Sequence, residues 1–488
     1  MNWEPVHILR LALPDKGDMT ANDRRALASA VVIAVVVFLT ALFGIYTRPI
    51  GMLAAIWPAN AVLLGILVLR TDIPILPSYV GAICGYVAAD LISGGTLITT
   101  TLLTAANIVG VAVGHTLYRR CTETDRRLQQ PYSVLHLLLI SITASAAAGL
   151  VGGIADPVIF GNDALTGWTF WFATELANYL AILPVILSAP TNSWPRILSW
   201  RRRRKQLLES GVRQFKQLLP AIAFALSSIL AGTVGGPGSV AFPIPALLWC
   251  ALSYRIWITS ILTLLFSLWI FLLISTDRIA PFLDTHSQST LLSIRLGVAF
   301  VAVGPLMVAS VMTARNALLV QLERLASHDH LTSVLNRRAF QQQAQERLAE
   351  AGKQGRSVAA LMFDIDKFKS VNDTHGHTIG DQVISTFADV IRASLRDSDL
   401  IGRLGGEEFG ALIVDCPRDQ IFVVAERIRF AFERATVQLP EGGYVSATVS
   451  IGTSFTDSAA ITLDRLFIAA DGALYQAKRD GRNRTRGG

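Results

Sequence analysis

The 488-residue chain carries 43 Lys+Arg against 36 Asp+Glu, and 52% of it is hydrophobic while only 16% is charged, well under the roughly 25% of soluble proteins. Divided after Arg324, the first part holds 23 basic and 15 acidic residues and the rest 20 and 21, contributing +8 and −1 to the net charge of +7. This excludes a single soluble globular protein, and it excludes a soluble nucleic-acid-binding domain, whose basic face would have to lie in the charged part.

Residues 1–27 are polar and mixed in charge, too long and too polar to begin a signal peptide, so Ala28–Tyr46 is expected to be retained as a membrane span. A bilayer crossing takes about 20 apolar residues. Such stretches lie at 28–46, 52–69, 73–92, 96–118, 133–154, 166–189, 217–234, 240–254, 256–275 and 291–313, which predicts ten spans. Loop charge supplies an independent check through the excess of Lys and Arg in cytoplasmic loops. Alternate segments collect Arg10, Lys16, Arg24, Arg25, Arg70, Arg119, Arg120, Arg126, Arg127, Arg196, Arg201 to Arg204, Lys205, Arg213, Lys216 and Arg255, whereas the opposite set holds only Arg48 and Arg278. The bias places the N-terminus in the cytoplasm, and an even number of spans returns the charged C-terminal part to the same side.

A few polar groups interrupt these stretches. Glu175 lies within Trp168-Thr-Phe-Trp171-Phe-Ala-Thr-Glu175-Leu-Ala-Asn178, and Trp57-Pro58 opens the second span. An intramembrane carboxylate faces the bundle interior or a wet cavity, so Glu175 serves either as a structural hydrogen-bonding group or as a wall of a ligand pocket with Trp57 and Asn178. Asp90 and His115 sit near the ends of their spans, where the interface alone accounts for them. The Trp57-Pro58 pair and the Trp/Glu/Asn-rich sixth span resemble the MASE-type membrane-associated sensor modules of bacteria, over about residues 28–313. That resemblance implies coupling to a cytoplasmic signalling domain. Four scattered cysteines, Cys84, Cys121, Cys250 and Cys416, give neither a disulfide framework nor a zinc spacing.

From Met312 to Leu335 there is no Gly or Pro, and Leu318, Leu322 and Leu325 follow a heptad-like spacing. This fits a short parallel coiled coil or a single amphipathic helix; two heptads do not separate the two. Four segments are expected: 1–27 cytoplasmic, 28–313 membrane sensor, 314–328 linker helix, and 329–488 soluble domain.

The soluble part alternates helices and strands. Helices are predicted at Leu331–Glu350 with Thr332 as N-cap, and at Ile384–Arg396, Arg418–Glu433 and Leu463–Lys478. Strands are predicted at Ser357–Phe363, Leu400–Leu404, Phe409–Val414 and Tyr444–Ile451. The glycines of Gly405-Gly406-Glu407-Glu408 suit a tight hairpin that takes positive φ. The pattern predicts an α+β domain with a central, largely antiparallel sheet flanked by helices. Asp364 ends an apolar strand and Glu407 and Glu408 sit at a turn; brought side by side, such acids hold a hard cation on oxygen ligands. Lys367, Lys369, Asn372, Asp381, Lys478 and Arg482 add groups for a phosphate-bearing ligand. Taken alone, these residues equally describe a surface of mixed charge.

Arg403-Leu-Gly405-Gly406-Glu407-Glu408-Phe409 resembles the signature of the GGDEF family of diguanylate cyclases in its GGEEF form. Three further blocks agree in order and spacing: Asp329-His-Leu331-Thr332, the run from Phe363 to Asp381, and Ala477-Lys478-Arg-Asp-Gly481-Arg482-Asn483. The resemblance covers about residues 325–488. It implies that Asp364, the Ile365 carbonyl and Glu407 bind Mg²⁺ (or Mn²⁺), and that Glu407 helps to deprotonate the attacking 3′-hydroxyl. Asn372 and Asp381 would read guanine, and Lys369, Lys478 and Arg482 would hold phosphates. Gly405 and Gly406 would let the backbone approach the nucleotide, with Glu408 in support. It implies GTP as substrate, a homodimer, cyclic di-GMP as product, and a bacterial inner-membrane location. Arg396-Asp-Ser-Asp399 resembles the family's RxxD inhibitory product site, with Arg427 as its secondary arginine. No direct nucleic-acid binding is expected. The alternatives are a non-catalytic GTP or cyclic di-GMP receptor, and a transporter carrying a regulatory domain.

Overall fold

The computed structural model describes residues 20–47, 56–190, 211–275, 288–457 and 461–487. Outside them lie the topology residues Arg10, Lys16, Arg48, Arg196, Arg201 to Arg204, Lys205 and Arg278, and the start of the second expected span. The chain forms two compact units, one ending at Ala317 and the other beginning at Leu318.

The first unit is helical: α1 (Ala21–Tyr46), α2 (Pro58–Leu69), α3 (Ile75–Ile92), α4 (Leu97–Tyr118), the single turn α5 (Glu123–Arg126), α6 (Ser133–Ile159), α7 (Ala164–Leu187), α8 (Gly211–Val234), α9 (Ile244–Ser253), α10 (Ile256–Ser275) and α11 (Gln288–Ser327). Local chemistry sets the starts. Thr20 caps α1 in a reciprocal box with Asp23, and the Asp163 carboxylate accepts from the amides of Leu165 and Thr166 at the start of α7.

Among the described residues eight helices are long and apolar enough to cross a membrane. Two of the ten expected spans differ. α2 has 12 residues and α9 has 10, so at 1.5 Å per residue they measure about 18 and 15 Å against a hydrocarbon core of about 30 Å. The apolar character of α2 comes from enclosure by other helices: Ala59, Asn60, Ala61, Leu63, Leu64, Gly65, Leu67 and Val68 are all buried. Hydropathy registers an apolar stretch and does not say whether lipid or protein surrounds it. Small residues bring the long helices close. A Cβ at Gly81 of α3 would lie 2.1 Å from the Ala30 carbonyl oxygen of α1, and one at Gly85 2.6 Å from that of Ala34.

The second unit continues with β1 (Leu335–Asn336), α12 (Arg337–Lys353), β2 (Val358–Ile365), α13 (Phe368–His375), α14 (His377–Ser394), β3 (Leu400–Arg403), β4 (Glu408–Val414), α15 (Arg418–Glu433), β5 (Val437–Gln438), β6 (Tyr444–Val445), β7 (Val449–Thr456), α16 (Leu463–Arg479) and β8 (Thr485–Gly487). The main sheet has the order β1-β3-β4-β2-β7-β8. Its three inner pairings are antiparallel, and the short edge strands β1 and β8 pair in parallel, so the sheet is mixed.

β2 is buried on both faces, and its two-residue period sorts the layers. Ala359, Leu361, Phe363 and Ile365 join α14 and α15 in one core, where the rings of Phe363, Phe387, Phe409 and Phe432 meet at 4.6–5.9 Å between centroids. Val358 and Ala360 join Phe340, Ala344 and Leu348 of α12 and Leu466 of α16 in the other. Thr332 does not cap the first helix of this unit. Asn336 does, accepting from the Ala339 amide at 3.0 Å, while Thr332 lies in the preceding turn.

Candidate active site

Asp364 continues the face of β2 on which Val358 and Ala360 lie, the face that α16 covers. Gly452 of β7 permits that cover: a Cβ there would lie 2.0 Å from the Ala470 carbonyl oxygen and 2.3 Å from the Leu474 amide nitrogen. The backbone of α16 therefore rests on the strand. One turn beyond Leu474, Lys478 reaches Asp364, with Nζ 2.7 Å from Oδ2. Asp364 is 8% exposed. Burial pushes its carboxyl above the ordinary value, the bond and charge of Lys478 pull it back, and Glu407 and Glu408 push it up; the balance is upward. The expected phosphate ligand Lys478 is thus, in this structure, the counterion of the expected metal ligand Asp364.

Register brings the acids together. Asp364 pairs with Glu408 across β2 and β4, and the Ile365 amide donates to the Glu407 carbonyl at 3.4 Å. Among the described residues no group of three or more His, Cys, Asp or Glu side chains converges as a metal site. A cation here would rest on two carboxylates and the Ile365 carbonyl and complete its shell with water and phosphate oxygens, as Mg²⁺ prefers. The residues fit that ion.

The turn from β3 to β4 closes through Leu404 N–H to Glu408 O (2.9 Å) and Glu408 N–H to Gly405 O (3.3 Å). Neither Gly405 nor Gly406 takes positive φ, contrary to expectation. The value of Gly406 is bareness: a Cβ there would meet nothing within 4 Å, so its backbone is open to a ligand. The turn is anchored from the far side. Arg403 donates to the Gly406 carbonyl (2.8 and 3.0 Å) and to Asp329 (3.0 Å), whose carboxylate also takes the Thr332 amide and hydroxyl. Burial alone would raise the Asp329 carboxyl, but the hydrogen bonds of Thr332 and Arg403 outweigh it and hold it low.

Asn372 on α13 packs against α14 at Gly380, the residue before the exposed Asp381. A Cβ at Gly380 would lie 1.9 Å from Asn372 Oδ1, so only glycine admits the amide there. Lys369 is exposed on the first turn of α13. Arg482 follows α16 in a turn where Gly481, Arg482 and Asn483 all take positive φ. Asp366 clamps that turn: its carboxylate accepts the Asn483 amide (2.9 Å), the Ser450 hydroxyl (2.6 Å) and the Thr448 hydroxyl (2.8 Å). Sequence reasoning gave Asp366 and Asp329 no such roles; the only signal was their place inside the quoted blocks.

Arg396 and Asp399 close a turn at the end of α14, with backbone N–H of Arg396 to Asp399 Oδ2 at 3.0 Å. Burial raises the Asp399 carboxyl against the pull of the Arg396 amide and of the Arg396 and Arg347 charges. Arg427 of α15 donates to the Ser394 carbonyl at 2.6 Å, so all three residues share one surface.

In the helical unit Glu175, Asn178 and Trp57 also meet. The Trp57 amide donates to Asn178 Oδ1 (2.8 Å), and Asn60 donates to Glu175 Oε1 (2.8 Å) and to Asn107 Oδ1 (2.9 Å) while accepting from the Tyr86 hydroxyl (2.5 Å). Glu175 Oε2 and the Tyr179 hydroxyl are buried without partners among the described residues. Sequence reasoning missed Asn60, Tyr86 and Asn107, and it missed Arg295 of α11, which is buried against Thr174 and the Phe170 ring of α7. Asp90 accepts the Thr100 hydroxyl and His115 meets that of Tyr79.

Residues 326–484 match the family model described as "Diguanylate cyclase, GGDEF domain". The probable diguanylate cyclase DgcF of Escherichia coli K12 is 33% identical over 333 residues, covering 64% of this chain and 96% of that protein. The protein of the same name from Escherichia coli O157:H7 is 29% identical over 469 residues, 92% of each chain. The crystal structure of the coiled coil and GGDEF domain of DgcB from Caulobacter crescentus with c-di-GMP is 31% identical, covers 36% of this chain and 92% of that one, and superposes with a TM-score of 0.35.

Proposed function

Since the chain belongs to the GGDEF family of diguanylate cyclases, we propose that it condenses two GTP into cyclic di-GMP and two pyrophosphates under the control of its helical unit. The observation that carries this reading is the meeting of the Asp364 carboxylate with Lys478 at 2.7 Å, beside the Glu407-Glu408 turn. Asp364, Glu407 and the Ile365 carbonyl would hold a divalent cation, with Mg²⁺ the fitting choice. When bound, it neutralises triphosphate charge and lowers the pKa of the attacking hydroxyl.

The chain's own groups supply the rest. Asn372 and Asp381 take the guanine edge, the carboxylate accepting from N1–H and the amino group. Lys369 and Arg482 bind phosphate oxygens, and Lys478 joins them when it leaves Asp364. The 3′-oxygen of one GTP bonds to the α-phosphorus of the other as the bond to the β-phosphate oxygen breaks. Glu407 takes the hydroxyl proton, and pyrophosphate carries away the negative charge. One domain holds one GTP, so two copies must face each other. The exposed Leu318, Leu322 and Leu325 of α11 offer the contact.

The helical unit reads as a MASE-type membrane sensor with the cyclase domain in the cytoplasm, and 314–328 as its linker. Its buried Glu175 and Asn178 and the half-buried Trp57 form the candidate sensing centre. Arg396, Asp399 and Arg427 form the candidate inhibitory site for cyclic di-GMP.

The deciding experiment supplies labelled GTP and Mg²⁺ to the full chain in nanodiscs. The wild type forms cyclic di-GMP, Glu407→Ala loses at least about a hundredfold, and Arg396→Ala sustains synthesis after the wild type slows. No product from the wild type or from residues 311–488 fused to a dimerising coil would favour the receptor reading.

A further inference from the structure

Arg482 is exposed, and among the described residues only its backbone is held: its amide donates to the Ala477 carbonyl at 3.0 Å, and its carbonyl accepts from Arg484 Nε at 2.9 Å. Where its guanidinium points is therefore decided by the main chain. That main chain is unusual. Arg482 takes a φ of +65° and Asn483 one of +45°, a region that residues other than glycine occupy sparsely and keep only when their surroundings impose it.

The surroundings that impose it belong largely to α15. Asn483 is bonded at every polar group it could use to slip: its amide donates to Asp366 at 2.9 Å, its Nδ2 to Glu433 at 2.8 Å, and its Oδ1 accepts from Arg429 at 2.8 Å. Glu426, Arg429 and Glu433 follow a spacing of three and four residues, so they share one face of α15. Arg429 is buried. Its fork donates to Glu426 (3.0 and 3.1 Å) and to Glu433 (3.1 Å) as well as to Asn483, while Glu426 also accepts the Thr485 hydroxyl of β8 at 2.6 Å. A planar guanidinium can serve two carboxylates and an amide at once, and an ammonium cannot hold that geometry. α15 thus grips the chain on both sides of Arg484, immediately after the one residue whose side chain is left free for a ligand.

We propose that Arg429, acting through Asn483, is a positioning residue for the GTP reaction: it locks the backbone that follows α16 and so aims the Arg482 guanidinium at the phosphates of the substrate. Neither Arg429 nor Asn483 touches the nucleotide. The inference rests on the reading of Arg482 as a phosphate ligand and adds what holds that ligand in place. A merely structural tie between α15 and β8 would act on stability and leave the handling of GTP by the folded protein unchanged.

The test uses the full chain in nanodiscs with Mg²⁺. Cyclic di-GMP formation gives KM for GTP, calorimetry gives Kd for α,β-methylene GTP, which cannot react, and melting gives the folded fraction. Asn483→Gly keeps positive φ accessible and removes both side-chain bonds; Arg429→Lys keeps the charge and loses the fork. Each is made alone and in an Arg482→Ala background. The expected result is a rise of about three- to tenfold in KM and Kd for each single variant after correction for folded fraction, and less than about twofold further once Arg482 is already Ala. Variants that lower only the folded fraction overturn the proposal, and so do effects that multiply with that of Arg482→Ala. Product from the wild type together with unchanged KM in the variants removes this inference and keeps the cyclase reading. The expected pattern of Kd without any product removes the cyclase reading and keeps the inference. An analogue that does not bind, or binds equally well after Arg482→Ala, overturns the inference together with the phosphate role of Arg482.

Discussion

With its ammonium 2.7 Å from a buried carboxylate, Lys478 makes Asp364 tolerable in the absence of a cation. Lys478→Met removes the pull that lowers the Asp364 carboxyl, so burial and the two glutamates push it further up. The cation-binding form is the ionised one. The acid limb of kcat/KM for GTP therefore moves to higher pH in the variant, and its value at pH 7 falls by about tenfold or more; a pH–rate profile in saturating Mg²⁺ reads both. Asp329 has the opposite sign. Its carboxyl is held low in the folded state, so its contribution is present above the ordinary carboxylate range and is lost as pH falls through the depressed value. Asp329→Asn is expected to cost about 1–3 kcal/mol at neutral pH, with the deficit shrinking in acid, as denaturant melts at several pH values would show. The signature strings singled out Asp364, Glu407, Asn372 and Asp381 from the sequence alone, and the register sets Asp364 beside the Glu407-Glu408 turn. The clamps were not legible, because Arg403 meets Asp329 across 74 residues and Asp366 meets Asn483 across 117, and neither partner announces the other.

Among the elements, α16 is set by a missing side chain. Gly452→Val drives a branched group into the Ala470 and Leu474 backbone, an overpacking expected to cost about 1–3 kcal/mol. Because α16 ends in Lys478 and leads to Arg482, turnover at saturating GTP should fall below what the remaining folded fraction predicts, which parallel melting and activity measurements would reveal. A similar device seats α12. Gly402 and Gly410 face each other across β3 and β4, and a Cβ at Gly402 would lie 2.5 Å from Phe340. Periodicity gave the order of helices and strands, and Arg418–Glu433 agrees at both ends. It missed α13, whose eight residues start after Lys367 at a φ of +52°, a conformation that side-chain patterns do not advertise. It also ran β6 and β7 together, since the alternation from Tyr444 to Ile451 continues across residues that leave the sheet.

The charge split falls after Arg324, and the structure divides the chain into two units between Ala317 and Leu318. α11 runs across that position and leaves Leu318, Leu322 and Leu325 between 52% and 69% exposed, more apolar surface than an isolated helix needs to show water. Replacing the three by Asn should weaken self-association and cut cyclic di-GMP synthesis by about tenfold at low protein concentration, with recovery as concentration rises. Mass photometry beside the activity assay would register both. Hydropathy counted α2 as a span, and its surroundings are protein on nearly every side. That enclosure has a consequence for how the protein is made. The last of Asn60's partners to be made is Glu175, 115 residues later, after Tyr86 and Asn107. At about 5–20 residues per second of translation, roughly 6–23 s pass before the ribosome delivers it. For that interval the Asn60 side chain has only Tyr86 and Asn107 to bond, so the buried network around α2 closes only once α7 is made, and its last hydrogen bond joins segments far apart in the order of synthesis.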